Sequence, residues 1–155
     1  MPVYLLERTQ FLPVSLEEAW DFFSAPGNLA HITPPDMGFE VLSESGDGSI
    51  YPGQIITYYV RPLLGLRLFW MTEITHVRNR EYFVDEQRSG PYAFWHHTHF
   101  FRAVSGGVEM RDQVYYKLPF GLLGRLAHAL FVRKQLGAIF DFRFRFLEKE
   151  FGPAC

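Results

Sequence analysis

Two histidines that alternate along one predicted β-strand are the residues best placed to do chemistry in this chain. The segment 92–104 is rich in aromatic residues and follows the turn sequence Ser-Gly-Pro, which is typical of a strand. Side chains two residues apart project from the same side of a strand, so Trp95, His97, His99 and Phe101 share one face. An imidazole can bind a metal ion, exchange a proton near neutral pH or orient a ligand by a hydrogen bond.

A carboxylate on the next predicted strand faces these histidines. The segment 108–118 alternates apolar and polar residues, and its apolar face also carries Asp112. A hairpin that pairs Ala103 with Val108 would fix the register of the two strands. His99 then lies opposite Asp112, and we expect it to be the partner that a buried carboxylate needs. This register predicts an inward-facing set of side chains: Trp95, His97, His99, Phe101, Met110, Asp112, Val114 and Tyr116.

Four interpretations of this histidine–aspartate group are open in the sequence. His99 and Asp112 can form a structural pair that only fixes the strand register. They can orient the polar end of an apolar ligand, or act as a catalytic acid–base pair. His97, His99 and Asp112 also have the residue types of a zinc site. We favour ligand orientation over metal binding, and we expect no metal ion and no other cofactor.

Strand and turn patterns order the rest of the chain. A capping box at Ser15–Glu18 begins a short helix that ends near Phe23, and a second short helix is predicted over 29–32. Connections of hairpin length between the later strands indicate an antiparallel sheet. Strands are predicted over 3–11, 37–42, 54–61, 66–77, 81–88, 92–104 and 108–118.

A long helix is predicted over 120–151, between Pro119 and the Gly152-Pro153 stop signal. At about 1.5 Å per residue it is a rod of roughly 45 Å, which needs a broad surface to cover its apolar side. We therefore predict an α+β fold, in which a curved antiparallel sheet of about seven strands wraps around this helix. The apolar stripe is predicted to consist of Leu126, Leu130, Gly137, Phe140, Phe144, Leu147 and Phe151.

Composition narrows the class of protein. The 155 residues fit one domain over 1–155, and aromatic residues at 17% indicate an aromatic core or a pocket lined with rings. A net charge of −2 gives no reason to expect a nucleic-acid partner, and no segment has the length of a membrane span. The single cysteine, Cys155, and a first segment that carries Glu7 and Arg8 lead us to expect a cytoplasmic protein. The oligomeric state is open between monomer and homodimer.

The order of elements resembles the START-like, or SRPBCC, superfamily of helix-grip proteins. Within it the chain is similar to bacterial ligand-binding proteins grouped with polyketide cyclases and dehydrases. The resemblance spans nearly the whole chain and is carried by 15–20, 90–92, 95–101 and 112–121. It implies a deep hydrophobic cavity between sheet and helix that holds lipids, sterols, polyketides or hormones. A minority of the superfamily catalyses cyclisation or dehydration, without one shared catalytic set.

These observations lead us to expect that the protein binds a small hydrophobic or aromatic ligand between the sheet and the last helix. Trp95, Phe101, Met110, Val114 and Tyr116 would form the walls, and His97, His99 and Asp112 would fix the orientation of the ligand. The alternative is a cyclase- or dehydratase-type enzyme that acts on a polyketide-like substrate, with His99 and Asp112 as its acid–base pair.

Overall fold

The computed structural model describes residues 2–62 and 65–153, and its main element is a seven-stranded antiparallel sheet. All seven strands begin within three residues of their predicted positions. Leu63, Leu64 and Cys155 lie outside the described residues. The strands are β1 (Tyr4–Leu12), β2 (Glu40–Glu44), β3 (Gln54–Val60), β4 (Leu68–Arg78), β5 (Tyr82–Ser89), β6 (Phe94–Val104) and β7 (Gly107–Lys117).

Strand pairing produces a curved surface with one concave face. The order across the sheet is β1-β7-β6-β5-β4-β3-β2, so the first strand joins the last one and the others form a meander. Register shifts after Val41, Met71 and Ile74 interrupt the ladder. Such bulges bend strands, which helps the sheet to curve around the last helix.

Short helical segments cross one end of the concave face between β1 and β2. Helix α1 (Leu16–Phe23) begins as predicted at Ser15, whose side chain accepts a hydrogen bond from the Glu18 amide at 3.1 Å. The helix predicted over 29–32 is misplaced, because two 3₁₀ turns at Pro26–Asn28 and Pro35–Met37 flank that segment. Proline presets the backbone angle that a first helical residue needs, which explains why both turns begin at proline.

The C-terminal helix runs from Gly121 to Phe151 in three joined parts. They are α2 (Gly121–Ala127), a π-helical turn (His128–Val132) and α3 (Arg133–Phe151). A π turn contains one extra residue, which rotates the side chains before it relative to those after it. In the part of the chain that is described, no helix is both long and apolar enough to span a membrane.

The predicted apolar stripe on this helix is therefore wrong in its first half. Leu126 and Leu130 are 56% and 58% exposed, whereas Gly124 and His128 are buried. In α3 the buried positions are Leu136, Phe140, Arg143 and Leu147, which keep a three- and four-residue spacing. Of the predicted stripe, Phe140 and Leu147 are buried, Gly137 and Phe151 are half-buried, and Phe144 is wrong because it is 38% exposed.

Two clusters of buried side chains fill the space between sheet and helices. In the larger one, Trp20 of α1 packs edge-on against Phe83 and Phe101 of the sheet, and Phe23 packs against Phe101 with its ring tilted. The smaller cluster joins β7 to the last helix through Val114, Tyr116, Leu136 and Phe140. His128 belongs with this second cluster, where it stacks on Tyr4 and forms a hydrogen bond with the Tyr116 hydroxyl.

Candidate functional site

A cavity of about 190 Å³ lies between the concave face of the sheet and α3. Apolar and aromatic side chains make up most of its wall, with a small polar group at one side, as in pockets for small molecules. The sheet contributes Ile56, Tyr58, Val60, Trp70, Thr72, Ile74, Phe83, Asp85, Tyr92, Trp95, His97 and His99. The helix α3 contributes Gln135, Leu136, Ile139, Phe140 and Arg143, and α1 and the segment that follows it close the end.

His97 and His99 reach this cavity because of the register of β6 with its neighbours. The predicted pairing of β6 with β7 is confirmed, since Ala103 lies opposite Val108 and His99 lies opposite Asp112. Both imidazoles are buried, and they stack with ring centroids 3.7 Å apart. Stacking holds the two rings at a fixed distance from each other and from the cavity wall.

Two carboxylates bracket the stacked imidazoles. On one side, the Oδ2 atom of Asp85 lies 2.5 Å from His99 Nε2 and 3.5 Å from His97 Nδ1. On the other side, the Oδ1 atom of Asp112 lies 2.9 Å from His97 Nε2 and 3.3 Å from His99 Nδ1. Each ring therefore spans the gap between the two carboxylates, and the four side chains form one buried charged group.

His99 lies within ion-pair distance of Asp112, as expected, with 3.3 Å between Nδ1 and Oδ1, but the hydrogen bonds of the two residues go to other partners. Asp112 accepts its hydrogen bond from His97, and His99 donates instead to Asp85. His99 Nδ1 is close to Asp112 but is not directed at it, and this nitrogen has no hydrogen-bond partner among the described residues. Backbone pairing places His99 and Asp112 opposite each other, but the rotamers decide which imidazole the carboxylate meets.

Arg143 of α3 adds a buried cation to this group. Its Nη2 atom lies 3.3 Å from the Asp112 carboxylate, and its side chain is only 8% exposed. The Nε and Nη2 atoms have no hydrogen-bond partner among the described residues. Arg143 lines both the main cavity and a smaller one of about 50 Å³ beside Asp112. Both nitrogen atoms are covered by neighbouring atoms, so they can donate to a ligand oxygen once the side chain shifts toward the cavity.

Burial and charge set the protonation of the four titratable groups in opposite directions. Burial alone would raise the pKa of Asp112, but the Arg143 guanidinium and the two imidazoles hold it well below its usual value. Burial and the charge of His99 lower the pKa of His97. His99 is equally buried, yet its two carboxylate neighbours raise its pKa. Despite burial, the histidines also keep the pKa of Asp85 low.

The site is therefore electrically neutral when one of the two imidazoles is protonated to the imidazolium form and the other is neutral. Two carboxylates, one guanidinium and one imidazolium at His99 sum to zero, which is the arrangement that a buried charged group requires. His97 is then neutral and donates from Nε2 to Asp112, so its Nδ1 atom carries a lone pair. One imidazole can take up a proton while its neighbour can release one.

A second polar group faces the cavity from β3 and β4. The Thr72 hydroxyl accepts a hydrogen bond from Trp70 Nε1 at 3.1 Å and shares another with the Tyr58 hydroxyl at 3.1 Å. Burial raises the pKa of Tyr58, so this phenol stays neutral. Trp95 joins the first group, since its Nε1 atom donates to Asp85 at 3.3 Å.

The residues predicted to form the site separate into two sets. Trp95, His97 and His99 line the cavity, and Asp112 lies directly behind the histidines. The other four predicted wall residues are buried in the core and are not part of the cavity wall. Phe101 and Met110 belong to the larger core cluster, and Val114 and Tyr116 belong to the smaller one.

Asp85 and Arg143 are the site residues that the sequence analysis did not identify. Asp85 follows two buried residues in β5 and lies opposite His97. The register of β5 with β6 is therefore the information that would have placed Asp85 in the site. Arg143 lies three residues after the buried Phe140 and four before the buried Leu147. That spacing places Arg143 on the inner face of the helix.

A divalent metal ion is the cofactor that this arrangement could hold. Asp85, His97 and His99 each offer one ligand atom, and these atoms lie within 4.8 Å of one another. The sequence suggested Asp112 as the third ligand, whereas the geometry favours Asp85. Metal binding requires both imidazoles to be neutral, so it would displace the proton that His99 shares with Asp85.

Comparisons with solved structures establish the class of fold. A protein from Chromobacterium violaceum superposes with a TM-score of 0.72 at 13% identity, over 97% of this chain and 98% of the other. The chain has the helix-grip fold. This confirms the predicted fold, and no family model or curated protein matches the sequence.

Two further similar structures have different names: one is named as a latex-like protein and the other as a synthase. Ginseng major latex-like protein 151 from Panax ginseng has a TM-score of 0.69 at 9% identity, over 97% of this chain and 99% of that one. A norcoclaurine synthase point mutant from Thalictrum flavum, bound to a transition state analogue, has a TM-score of 0.67 at 16% identity over 96% of both chains. The helix-grip fold alone therefore leaves the function to be argued from the site.

Proposed function

We propose that the protein binds a small, mainly apolar molecule of one or two rings in the cavity between the sheet and α3. The volume of about 190 Å³ carries this proposal. An engineered cavity of about 150 Å³ lined by apolar side chains binds benzene, so this one suits a slightly larger ring system. A sterol or a long acyl chain would need more space than this cavity provides.

Aromatic walls support a flat ligand. Trp70 and Trp95 pack edge to face with centroids 5.3 Å apart, and Tyr58 stacks on Trp70. Aromatic rings prefer offset or edge-to-face contacts with other rings, and these side chains offer both. Burying the ligand contributes roughly 25 cal/mol per Å² of apolar surface.

The polar groups support a ligand with at least one oxygen that accepts a hydrogen bond. Arg143 has donors without partners at the cavity wall, and His99 holds the proton of the histidine pair. His97 Nδ1 can accept a hydrogen bond in return, so a phenol or an enol meets both a donor and an acceptor. An analogue without the oxygen leaves a buried donor unpaired, which costs roughly 1–3 kcal/mol.

A binding panel tests this proposal. Fluorescence titration and thermal shift with phenol, 2-naphthol, naphthalene, cholesterol and palmitate should show saturable binding of 2-naphthol, weaker binding of naphthalene and none of the last two. Val60→Phe should reduce 2-naphthol binding, because Val60 lines the cavity. Leu5→Phe is the control, since Leu5 is 49% exposed on β1 and lies outside the cavity wall. The absence of binding by every ring compound would overturn the proposal.

A second candidate function is a proton-transfer enzyme of the cyclase or dehydratase kind. The opposed pKa shifts of His97 and His99 favour it, because such pairs supply a base and an acid at the same pH. In this reading His97 Nδ1 removes a proton from the substrate, and His99 returns one to a leaving or enolate oxygen. Turnover of a short β-polyketone that His99→Asn abolishes, with substrate affinity kept, would establish an enzyme. Equal loss of affinity would indicate ligand orientation alone.

A further inference from the structure

Large apolar side chains stand exposed at the start of the C-terminal helix. Phe120, Leu122 and Leu123 are 80%, 77% and 73% exposed, and three further residues of α2 and the π turn are more than half exposed. Those three residues are Leu126, Leu130 and Phe131. Leu122, Leu126 and Leu130 follow at four-residue steps and therefore form one stripe on the helix. We call these six residues the apolar face.

Local backbone geometry holds this apolar face outward. Phe120 has a φ of 67°, a left-handed conformation that is unusual for a bulky side chain. It turns the chain so sharply that a Cβ atom on Gly124 would lie 2.0 Å from the Pro119 carbonyl oxygen. Gly124 and His128 face the protein, which leaves the leucines on the opposite side. Strained backbone that keeps an aromatic ring exposed is common at functional positions.

The chain segment that carries the apolar face has charges of a single sign. Between Asp112 and Asp141 the sequence contains no acidic residue and four basic ones: Lys117, Arg125, Arg133 and Lys134. The last three are exposed on the same stretch of helix as the leucines. The chain as a whole has a net charge of −2, so the positive charge is local to this segment.

We propose that the apolar face docks on a lipid bilayer that carries anionic headgroups. An interfacial helix inserts an apolar side into the headgroup region, and its basic residues attract anionic lipid. A second copy of this chain is the less favourable partner, because a two-fold contact would bring like charges together. The surface needs an anionic counterpart, and the bilayer supplies it together with an apolar interior.

The apolar face also continues toward the cavity. Phe131 lies one helical turn before Gln135, which lines the cavity and donates a weak hydrogen bond to the Met37 sulfur at 3.9 Å. Residues four apart on a helix are neighbours, so a docked helix holds this part of the cavity wall close to the membrane. An apolar ligand dissolved in the bilayer would then have a short path into the protein.

Vesicle co-sedimentation tests the docking surface. Wild-type protein should sediment with vesicles of phosphatidylcholine and phosphatidylserine, and binding should fall with added salt and on vesicles of phosphatidylcholine alone. The double substitution Leu126→Asp/Leu130→Asp should abolish binding. Each cation removed in Arg125→Gln and Arg133→Gln should weaken binding about fivefold. Leu42→Asp, at an exposed leucine on β2, is the control that should bind as wild type does.

Two results would overturn the docking proposal. One is equal sedimentation of wild type and Leu126→Asp/Leu130→Asp with the phosphatidylserine vesicles, or sedimentation of neither. The other is a dimer in analytical ultracentrifugation without vesicles that the same substitutions convert to a monomer, which would make the apolar face a contact between copies. Binding of 2-naphthol by the double variant reports on the cavity separately, so failure of one proposal is distinguishable from failure of the other.

Discussion

The imidazole rings of His97 and His99 stack 3.7 Å apart between the carboxylates of Asp85 and Asp112. Two imidazolium ions at this distance would repel each other strongly, so one proton bound to the pair disfavours the binding of a second. Their environments place that proton on His99, where both carboxylates act on the ring. The two histidines titrate as a coupled unit, and each affects stability in the opposite sense.

Replacing either histidine should leave only the pH dependence of stability that the other histidine causes. The raised pKa of His99 contributes stability that is present below about pH 6.5 and is lost as the pH rises through its folded pKa. The lowered pKa of His97 acts in reverse, since the unfolded chain binds that proton more tightly. His97→Gln should therefore lose stability as the pH rises, and His99→Gln as it falls below about 6.5.

Urea denaturation of both variants at a series of pH values measures these slopes. The wild-type protein should be most stable near pH 6.5 and lose stability on both sides, because the two contributions act in different pH ranges. The double variant His97→Gln/His99→Gln should lose both contributions. Slopes of the same sign in the two single variants would contradict the assignment of the proton to His99.

Removing the buried cation of Arg143 should destabilise the protein through Asp112. Arg143→Met keeps the long side chain but leaves the carboxylate without its guanidinium, and such a change costs about 3 kcal/mol or more. Asp112→Asn removes the charge that needs the cation. The free energy of unfolding of the double variant should therefore exceed the value expected from adding the two single losses. Additive losses in a urea denaturation cycle would show that the two charges are not coupled.

The Thr72 hydroxyl should contribute more to the stability of the folded protein than its size suggests. Thr72→Val keeps the shape of the side chain but removes the oxygen that serves Trp70 Nε1 and the Tyr58 hydroxyl. Leaving buried donors unpaired costs roughly 1–3 kcal/mol. Thr57→Val is the control, because its hydroxyl bonds to Ser43 at an exposed position and should cost no more than about 0.5 kcal/mol. Thermal denaturation of both variants compares the two losses.

Two glycines in the C-terminal helix should respond in opposite ways to alanine. A Cβ atom at Gly124 would meet the Pro119 carbonyl oxygen at 2.0 Å, so Gly124→Ala should destabilise by roughly 1–3 kcal/mol. At Gly137 the nearest atom is Arg8 Nη2 at 3.8 Å, an ordinary contact. Gly137→Ala should therefore stabilise by up to about 1 kcal/mol through helix propensity. Similar melting temperatures for the two variants would show that the backbone around Gly124 has room for a side chain.

The parts of the fold that the sequence predicts are those set by local patterns. Alternating apolar residues and short turns locate the seven strands, and their hairpin spacing gives the meander. The β6–β7 register also follows from sequence, because apolar residues of both strands must face one side. The two 3₁₀ turns are misplaced because proline, and not apolar periodicity, sets where they begin.

The candidate site is only partly predictable, because its partners come from separate elements. His97, His99 and Asp112 share a hairpin, so their proximity can be inferred from register. Asp85 and Arg143 join them only after β5 and α3 pack, and that packing has no signal within the hairpin. Two sequence signals point to these residues. One is a carboxylate that follows buried residues in β5, and the other is an arginine spaced three or four residues from the buried residues of α3.

The π turn is the reason that half of the helix stripe was assigned to the wrong side. A regular periodicity carried back from Phe140 assumes an unbroken α-helix, and the extra residue within His128–Val132 changes the phase. Leu126 and Leu130 then face outward although their spacing fits an inward stripe. No sequence rule used for amphipathic helices detects such an insertion.

The pairing of β1 with β7 has a consequence during synthesis on the ribosome. Tyr4 pairs with Tyr116, so β1 stays without this neighbour until the whole segment between the two strands has been made. Contacts between such distant parts of a chain form slowly, because a large loop must close first. The nascent protein therefore carries an unpaired first strand until β7 emerges, and unpaired strands are prone to aggregate.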